Sequence, residues 1–145
     1  PEGYNTINGN GLEGLFIFTR GNITLNRVQV NDNSWRNATL DTCQGLGACQ
    51  GVGAVTIKGN ASFPIQFNGS KTDEGLFINA AGNITLSGIQ VNQNALHGLD
   101  ATSVNGSVSV LGTGNQFNQN GTGCGRSCVI SGLVSVLIGV ILTLL

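Results

Sequence analysis

Four cysteines have the spacing that most directly suggests chemistry. They form two close pairs, Cys43 with Cys49 and Cys124 with Cys128. Four cysteines allow three connectivities, and short Gly-rich loops favour local pairing, so we expect one or two disulfides made in an oxidising compartment. The C-x5-C and C-x3-C spacings could instead supply zinc ligands, and free thiols are a third alternative. Since no second ligand pair lies near either motif in the repeat, we expect no metal and no cofactor.

An acid and base for hydrolysis would have to come from seven carboxylates. Asp41 in "TLDT" and Asp100 in "GLDA" occupy equivalent places in the repeat, two coils apart, which predicts a backbone separation of about 9.6 Å. This separation is near the upper limit for the two carboxyl groups of an inverting glycosidase. His97 is close to Asp100 in sequence. The alternative is that both aspartates accept backbone hydrogen bonds at turns.

Two further sets of residues suggest an exposed binding surface. Phe16 and Phe18 fall at the outward positions of an expected strand, and Trp35 begins the segment that carries an inserted loop, so these aromatics could contact a sugar or a partner. Lateral packing is the alternative.

Seven N-x-S/T sequons suggest a glycosylated surface protein, unless their asparagines serve only as turn residues: Asn22, Asn37, Asn60, Asn68, Asn83, Asn105 and Asn120.

The composition favours short strands separated by frequent turns. The 145 residues include 23 glycines, only 9% are charged, and the formal net charge is −1. Glycine together with abundant Asn, Ser and Thr predicts a β-rich chain. The six basic residues are scattered, and this argues against binding of nucleic acid, which needs a basic face.

A repeat supplies the elements that position these residues. "GLFIFTRGNITLNRVQVNDN" (14–33) and "GLFINAAGNITLSGIQVNQN" (75–94) share 13 of 20 positions. Each holds three apolar segments that alternate with period 2, as expected for three short strands in a coil of a parallel β-solenoid. The predicted coils are 14–33, 34–74, 75–94 and 95–121, and the second contains an insertion, "CQGLGACQGVG". "NDN" (31–33) is similar to part of a calcium-binding loop, but the equivalent "NQN" (92–94) of the second copy lacks a carboxylate. We therefore expect a stacked asparagine ladder.

The pattern "GLFI…GNITL…VQVN.N" resembles the right-handed parallel β-helix repeats of bacterial surface and adhesin-like proteins in the pectin-lyase-like group, over about 11–121. The resemblance implies an all-β, right-handed parallel β-helix of four to five coils and transfers no catalytic residue. Polysaccharide lyases of that group need an acidic calcium-binding cluster and a basic residue, and no such cluster is apparent. We expect β-helix repeats over 1–123 (14–74 and 75–121), followed by a linker and an apolar tail over 124–145.

The tail runs for 17 uncharged residues from 129 to 145. That length is borderline for a membrane span, and its form resembles a GPI-type attachment signal. Gly132 and Gly139 keep the glycine spacing of the repeats, so the alternative is a degenerate fifth coil or an interchain strand. Of these alternatives, we favour a tail that anchors the chain in a membrane or inserts into one.

These observations predict an extracellular structural or adhesive module of a cell-surface or filament-forming protein, without catalysis. Its expected partners are further repeats or copies stacked end to end, and a carbohydrate or cell-surface ligand. The alternative is a carbohydrate-active enzyme, either a polysaccharide hydrolase or a lyase.

Overall fold

The chain folds into short strands. The computed structural model describes residues 3–44, 48–121 and 128–136, and within these ranges it contains twelve strands and no helix. The prediction of an all-β chain is confirmed. The strands are β1 (Asn5–Asn8), β2 (Leu15–Phe18), β3 (Ile23–Asn26), β4 (Val28–Asn31), β5 (Ala38–Asp41), β6 (Val55–Lys58), β7 (Ile65–Gln66), β8 (Leu76–Ala80), β9 (Ile84–Ser87), β10 (Ile89–Gln90), β11 (Leu99–Leu111) and β12 (Cys128–Val136).

The strands pair in three parallel ladders. The first ladder is β2-β5-β8 and the beginning of β11, and the second is β3-β6-β9 and the end of β11. The third is β1-β4-β7-β10, extended by a parallel bridge between Gln90 and Gln116. The chain passes from first to second to third ladder and then begins again. We call these passages the first to fourth layers: 14–33, 34–74, 75–94 and 95–121.

Register brings like residues together on the inside of the layers. Leu25 pairs with Ile57, Ile57 with Leu86, and Leu86 with Val110. These four positions are buried, as alternation with period 2 requires of the inward face. A side chain of this kind contributes roughly 1.5–3 kcal/mol when it is fully removed from water. Since each layer covers the next, stacking is what provides that burial.

The fourth layer departs from the repeat pattern. Its strand β11 runs through two ladders, pairing with β8 over Leu99–Ser103 and with β9 over Val108–Leu111. β12 lies parallel to β11 on the other side, with a register shift between Thr102 and Ser107. The first part of the apolar tail, 129–136, thus belongs to a parallel strand beside β11. Residues 137–145 lie outside the described part of the chain, which contains no helix long and apolar enough to cross a membrane.

The inward and outward faces of β9 can be distinguished by substitutions at two neighbouring residues. We expect Leu86→Ala to lower the free energy of unfolding by about 2–5 kcal/mol, because it leaves a cavity between layers. The matched change Thr85→Ala, at a half-buried outward position, should alter it by about 0.5 kcal/mol or less. Urea unfolding followed by circular dichroism measures both. Equal losses would contradict the assigned inward and outward faces.

Candidate functional site

A column of buried asparagine side chains lines the corner between the third ladder and the next first-ladder strand. Asn33 Nδ2 donates to Asn37 Oδ1 over 2.9 Å, and Asn37 Nδ2 donates to Asn94 Oδ1 over 3.1 Å. Asn94 Nδ2 then donates to Asn120 Oδ1 over 3.0 Å. All four residues are buried. The expected asparagine ladder is therefore present, and each amide satisfies its neighbour in an adjacent layer.

One member of this column comes from a different sequence position. Three layers have glycine directly before their first strand: Gly14, Gly75 and Gly98. A Cβ atom at any of them would lie 2.3–2.4 Å from the amide nitrogen of that layer's buried asparagine. The second layer has Asn37 there, and it has Ser70 where the other layers have the asparagine. Asn37 therefore fills the place that the shorter Ser70 side chain leaves open.

Charged residues lie just outside this corner. The positions directly before the three glycines and Asn37 are aligned in register, and they are Glu13, Arg36, Glu74 and His97. Arg36 Nε lies 2.8 Å from Glu74 Oε2 and 3.3 Å from Asp73 Oδ2. The Arg36 guanidinium also lies 4.5 Å from the ring centroid of Phe77 and 5.1 Å from that of Trp35. These contacts hold Arg36 against the outer surface of the first ladder.

The two neighbouring carboxyls differ in their pKa. Burial, together with a hydrogen bond to Glu74 and its negative charge, raises the pKa of Asp73 to about 6. Burial also acts to raise the pKa of Glu74, but hydrogen bonds with Asp73 and Arg36 outweigh it and hold that pKa below its usual value. Glu74 is therefore the carboxylate that stays charged, with Asp73 as its hydrogen-bond donor when protonated.

His97 and Asp100 complete the cluster. Nitrogen and oxygen donor atoms of Glu74, His97 and Asp100 all lie within 4.8 Å of one another. His97 Nδ1 is 3.8 Å from Glu74 Oε1, and this buried nitrogen has no hydrogen-bond partner among the described residues. Burial and the nearby charge of Glu74 raise the pKa of Asp100. The structure thus brings His97 and Asp100 together, as their closeness in sequence suggested, and adds Glu74.

Asp41 does not belong to this group, and the expected equivalence of Asp41 and Asp100 is wrong. Asp100 is opposite Phe77, whereas Asp41 is opposite Asn79. The two aspartates are therefore out of step by two residues along the ladder as well as two layers apart. Asp41 Oδ1 accepts hydrogen bonds from the backbone N–H groups of Cys43 and Gln44, at 2.6 and 2.9 Å. Asp41 therefore stabilises a turn through its backbone hydrogen bonds.

Cys43 and Cys49 form the predicted disulfide at the start of the inserted loop, with their Cα atoms 4.4 Å apart. The second predicted pair is untested, because Cys124 lies outside the described residues and Cys128 is described only as the first residue of β12.

The three aromatic residues proposed as a contact surface are exposed. Phe16 is 58%, Phe18 47% and Trp35 42% accessible. The rings of Phe16 and Phe18 stack at a centroid distance of 6.3 Å. Phe16 shares its outward register position with Thr39 and Phe77. The aromatic pair and the charged cluster therefore lie on the same outer face of the first ladder, at different layers.

The seven sequons differ in accessibility. Asn37 and Asn120 are buried, and their amide nitrogens are engaged in the buried column or with backbone carbonyls. A glycan has no room at either place in the folded chain. Asn68 is half-buried, and the remaining sequon asparagines are exposed: Asn22, Asn60, Asn83 and Asn105.

Sequence reasoning missed Arg36, Asp73 and Glu74. The signal was a charged or ionisable residue two positions before the first strand of each layer, in "LEG", "WRN", "DEG" and "LHG". The differing residue types concealed the alignment. Comparison of the chain with protein-family models, curated proteins and solved structures gives no match.

The exchange between Asn37 and Ser70 predicts a compensating pair of substitutions. Asn37→Gly removes the acceptor of Asn33 Nδ2 and a donor to both Asn94 Oδ1 and the Asn68 carbonyl. We expect it to lower the free energy of unfolding by roughly 2–5 kcal/mol, since each unsatisfied buried group costs about 1–3 kcal/mol. Adding Ser70→Asn recreates the arrangement of the other layers and should recover most of that loss.

Ser70→Asn alone is the matched control. It places a second amide in space that Asn37 already fills, so we expect it to destabilise the chain. Urea unfolding of the three variants measures the coupling. Additive effects of the two substitutions would contradict the exchange.

Proposed function

We propose that this chain is a non-catalytic structural or adhesive module of an extracellular cell-surface or filament-forming protein, and that its layers wind as a right-handed parallel β-helix. The chain contributes strands to the three parallel ladders in the same order in each layer, and this order supports the proposed winding. The right-handed sense follows from the strong preference of crossover connections between parallel strands.

The observation that carries the proposal is the uncovered core at the first layer. Leu15 and Ile17 are only partly buried, whereas their counterparts in the third layer, Leu76 and Ile78, are completely buried. Within the described residues, β2 and β3 each have a strand on one side only. Such edges readily pair with a further strand. We infer that another layer covers this end, supplied by further repeats or by a second copy.

The two ends of the stack complement each other. Before the first layer, β1 supplies a strand to the third ladder alone. Beyond the fourth layer, β12 pairs with both halves of β11 and so continues the first and second ladders. A β12 strand from one copy and a β1 strand from the next would together make a complete layer. This contact is head-to-tail, the geometry that generates filaments when it does not close.

Other features support an extracellular, ligand-binding role. A disulfide such as Cys43–Cys49 is typical of oxidising compartments. The exposed Phe16, Phe18 and Trp35 offer aromatic faces on which a carbohydrate or a cell-surface partner could stack.

The carbohydrate-active enzyme is the second candidate, and one observation favours it. Asp73 and Glu74 are adjacent carboxyls with pKa values displaced in opposite directions, which is the pattern of an acid and base pair. Release of reducing ends or unsaturated products from polysaccharides, abolished by Glu74→Gln, would favour the enzyme. Without such products the structural role is retained.

Self-association tests the structural proposal. We expect the chain to associate with rising concentration in sedimentation velocity runs, and Phe16→Lys with Thr24→Lys to abolish this, because both outward side chains lie on the open edge strands and charge there opposes pairing.

Thr85→Lys places the same charge on an outward position in the third layer, where β9 has neighbours on both sides, so it should leave association unchanged. A chain that stays monomeric at every concentration would overturn the end-to-end proposal, as would association that the paired edge lysines do not weaken.

A further inference from the structure

Three potential metal ligands are held together by backbone pairing rather than by chance contact of flexible side chains. The Gly75 N–H donates to the His97 carbonyl over 3.0 Å, and the Leu76 N–H donates to the Gly98 carbonyl over 2.9 Å. These bonds place Glu74 and His97 side by side where the chain enters the first-ladder strands of the third and fourth layers. Asp100 follows two residues after Gly98 on the outward side of β11, opposite Phe77. The sequence did not indicate this site, since the three residues belong to two layers.

The histidine nitrogen in this group lacks a partner. His97 Nδ1 is buried and accepts or donates no hydrogen bond among the described residues, and its 3.8 Å separation from Glu74 Oε1 exceeds hydrogen-bonding distance. A buried polar atom without a partner is energetically unfavourable. The nitrogen faces the two carboxylates, so a group that binds all three at once would satisfy it.

The arrangement of charge favours a cation. Arg36 contacts Glu74 through Oε2 and leaves Oε1 directed at His97. Glu74 and Asp100 are close enough for the charge of one to raise the pKa of the other. A divalent ion between them would relieve this repulsion.

We propose that Glu74, His97 and Asp100 bind a divalent transition-metal ion of the zinc type, through Oε1, Nδ1 and a carboxylate oxygen respectively. One imidazole and two carboxylates are ligands that zinc accepts, whereas calcium needs six to eight oxygens. Ligand atoms around zinc lie about 3.4 Å apart, so atoms now within 4.8 Å reach it by side-chain rotation. The His97 side chain is 22% exposed although its Nδ1 is buried, so the same side-chain rotation must open the site to the ion and to a fourth ligand.

This site is independent of the proposed structural function, since it lies where the chain enters the third and fourth layers and the uncovered core lies at the first. A bound ion would join these two layers on their outer face. It would also present an open coordination position beside the Phe77 ring and Arg36.

His97 is the only histidine, so its imidazole signals report on this site alone. We would titrate the ¹⁵N-labelled full chain with zinc chloride at neutral pH and follow the imidazole nitrogens by NMR. The free thiols are first alkylated without reduction, so that Cys124 and Cys128 cannot compete for zinc. We expect a saturable shift of the Nδ1 resonance that exceeds the shift of Nε2.

Asp100→Asn should weaken zinc affinity roughly 10–100-fold, the size of loss that follows removal of a group supporting a metal site. Asp32→Asn is the matched control, since it removes the same charge from an exposed turn and asparagine tolerates the backbone φ of 58° found there. Its affinity should equal that of the parent chain.

Zinc binding that leaves Nδ1 unshifted would overturn the proposal, and so would equal affinities of the parent and the Asp100→Asn variant. If Asp100→Asn does not fold by circular dichroism, the Nδ1 shift in the parent chain decides the question by itself.

Discussion

Every layer depends on the requirement that a buried amide find a partner. The corner asparagines are removed from water, so each donor and acceptor must be satisfied within the protein. The neighbouring layer supplies the partner, and the bond from Asn33 through Asn37 to Asn94 and Asn120 fixes the spacing of four layers at once. Core aliphatics cannot do this, because apolar contact is not directional. The second layer shows how strict the requirement is: where Ser70 cannot reach, Asn37 supplies the amide from another sequence position.

The same column determines where the charged cluster lies. An asparagine amide occupies the space beside Gly75 and Gly98, so the chain must pass that point without a side chain before it enters the first ladder. The residue directly before each of these glycines then faces outward, at the same register position in every layer. Glu74 and His97 are adjacent for this reason. The polar corner that stabilises the layers is therefore also what aligns the residues of the candidate site.

Much of the fold could be predicted from the repeat, because period-2 alternation and near-identical segments leave few alternatives to parallel pairing. The disulfide and the asparagine ladder followed from local spacing. Register in the second layer could not be predicted, because the shared "LD" dipeptide made Asp41 and Asp100 look equivalent. In the structure the residue aligned with Asp100 is Thr39, since both lie opposite Phe77. The continuous strand β11 was also missed, because "SVNGSVSV" contains turn residues that tertiary pairing overrides.

The scarcity of charge follows from the stacking itself. Successive layers lie about 4.8 Å apart, so a charge repeated at one position would face its own copy, and like charges directly opposite are destabilising. Asparagine, serine and threonine avoid this cost and still hydrogen-bond. Where ionisable residues do form a column, Arg36 separates Glu13 from Glu74. The exception is the group around Glu74, His97 and Asp100, where two carboxylates lie beside an unpartnered imidazole. A fold that otherwise avoids charge has concentrated it here, and stability of the stack does not account for that.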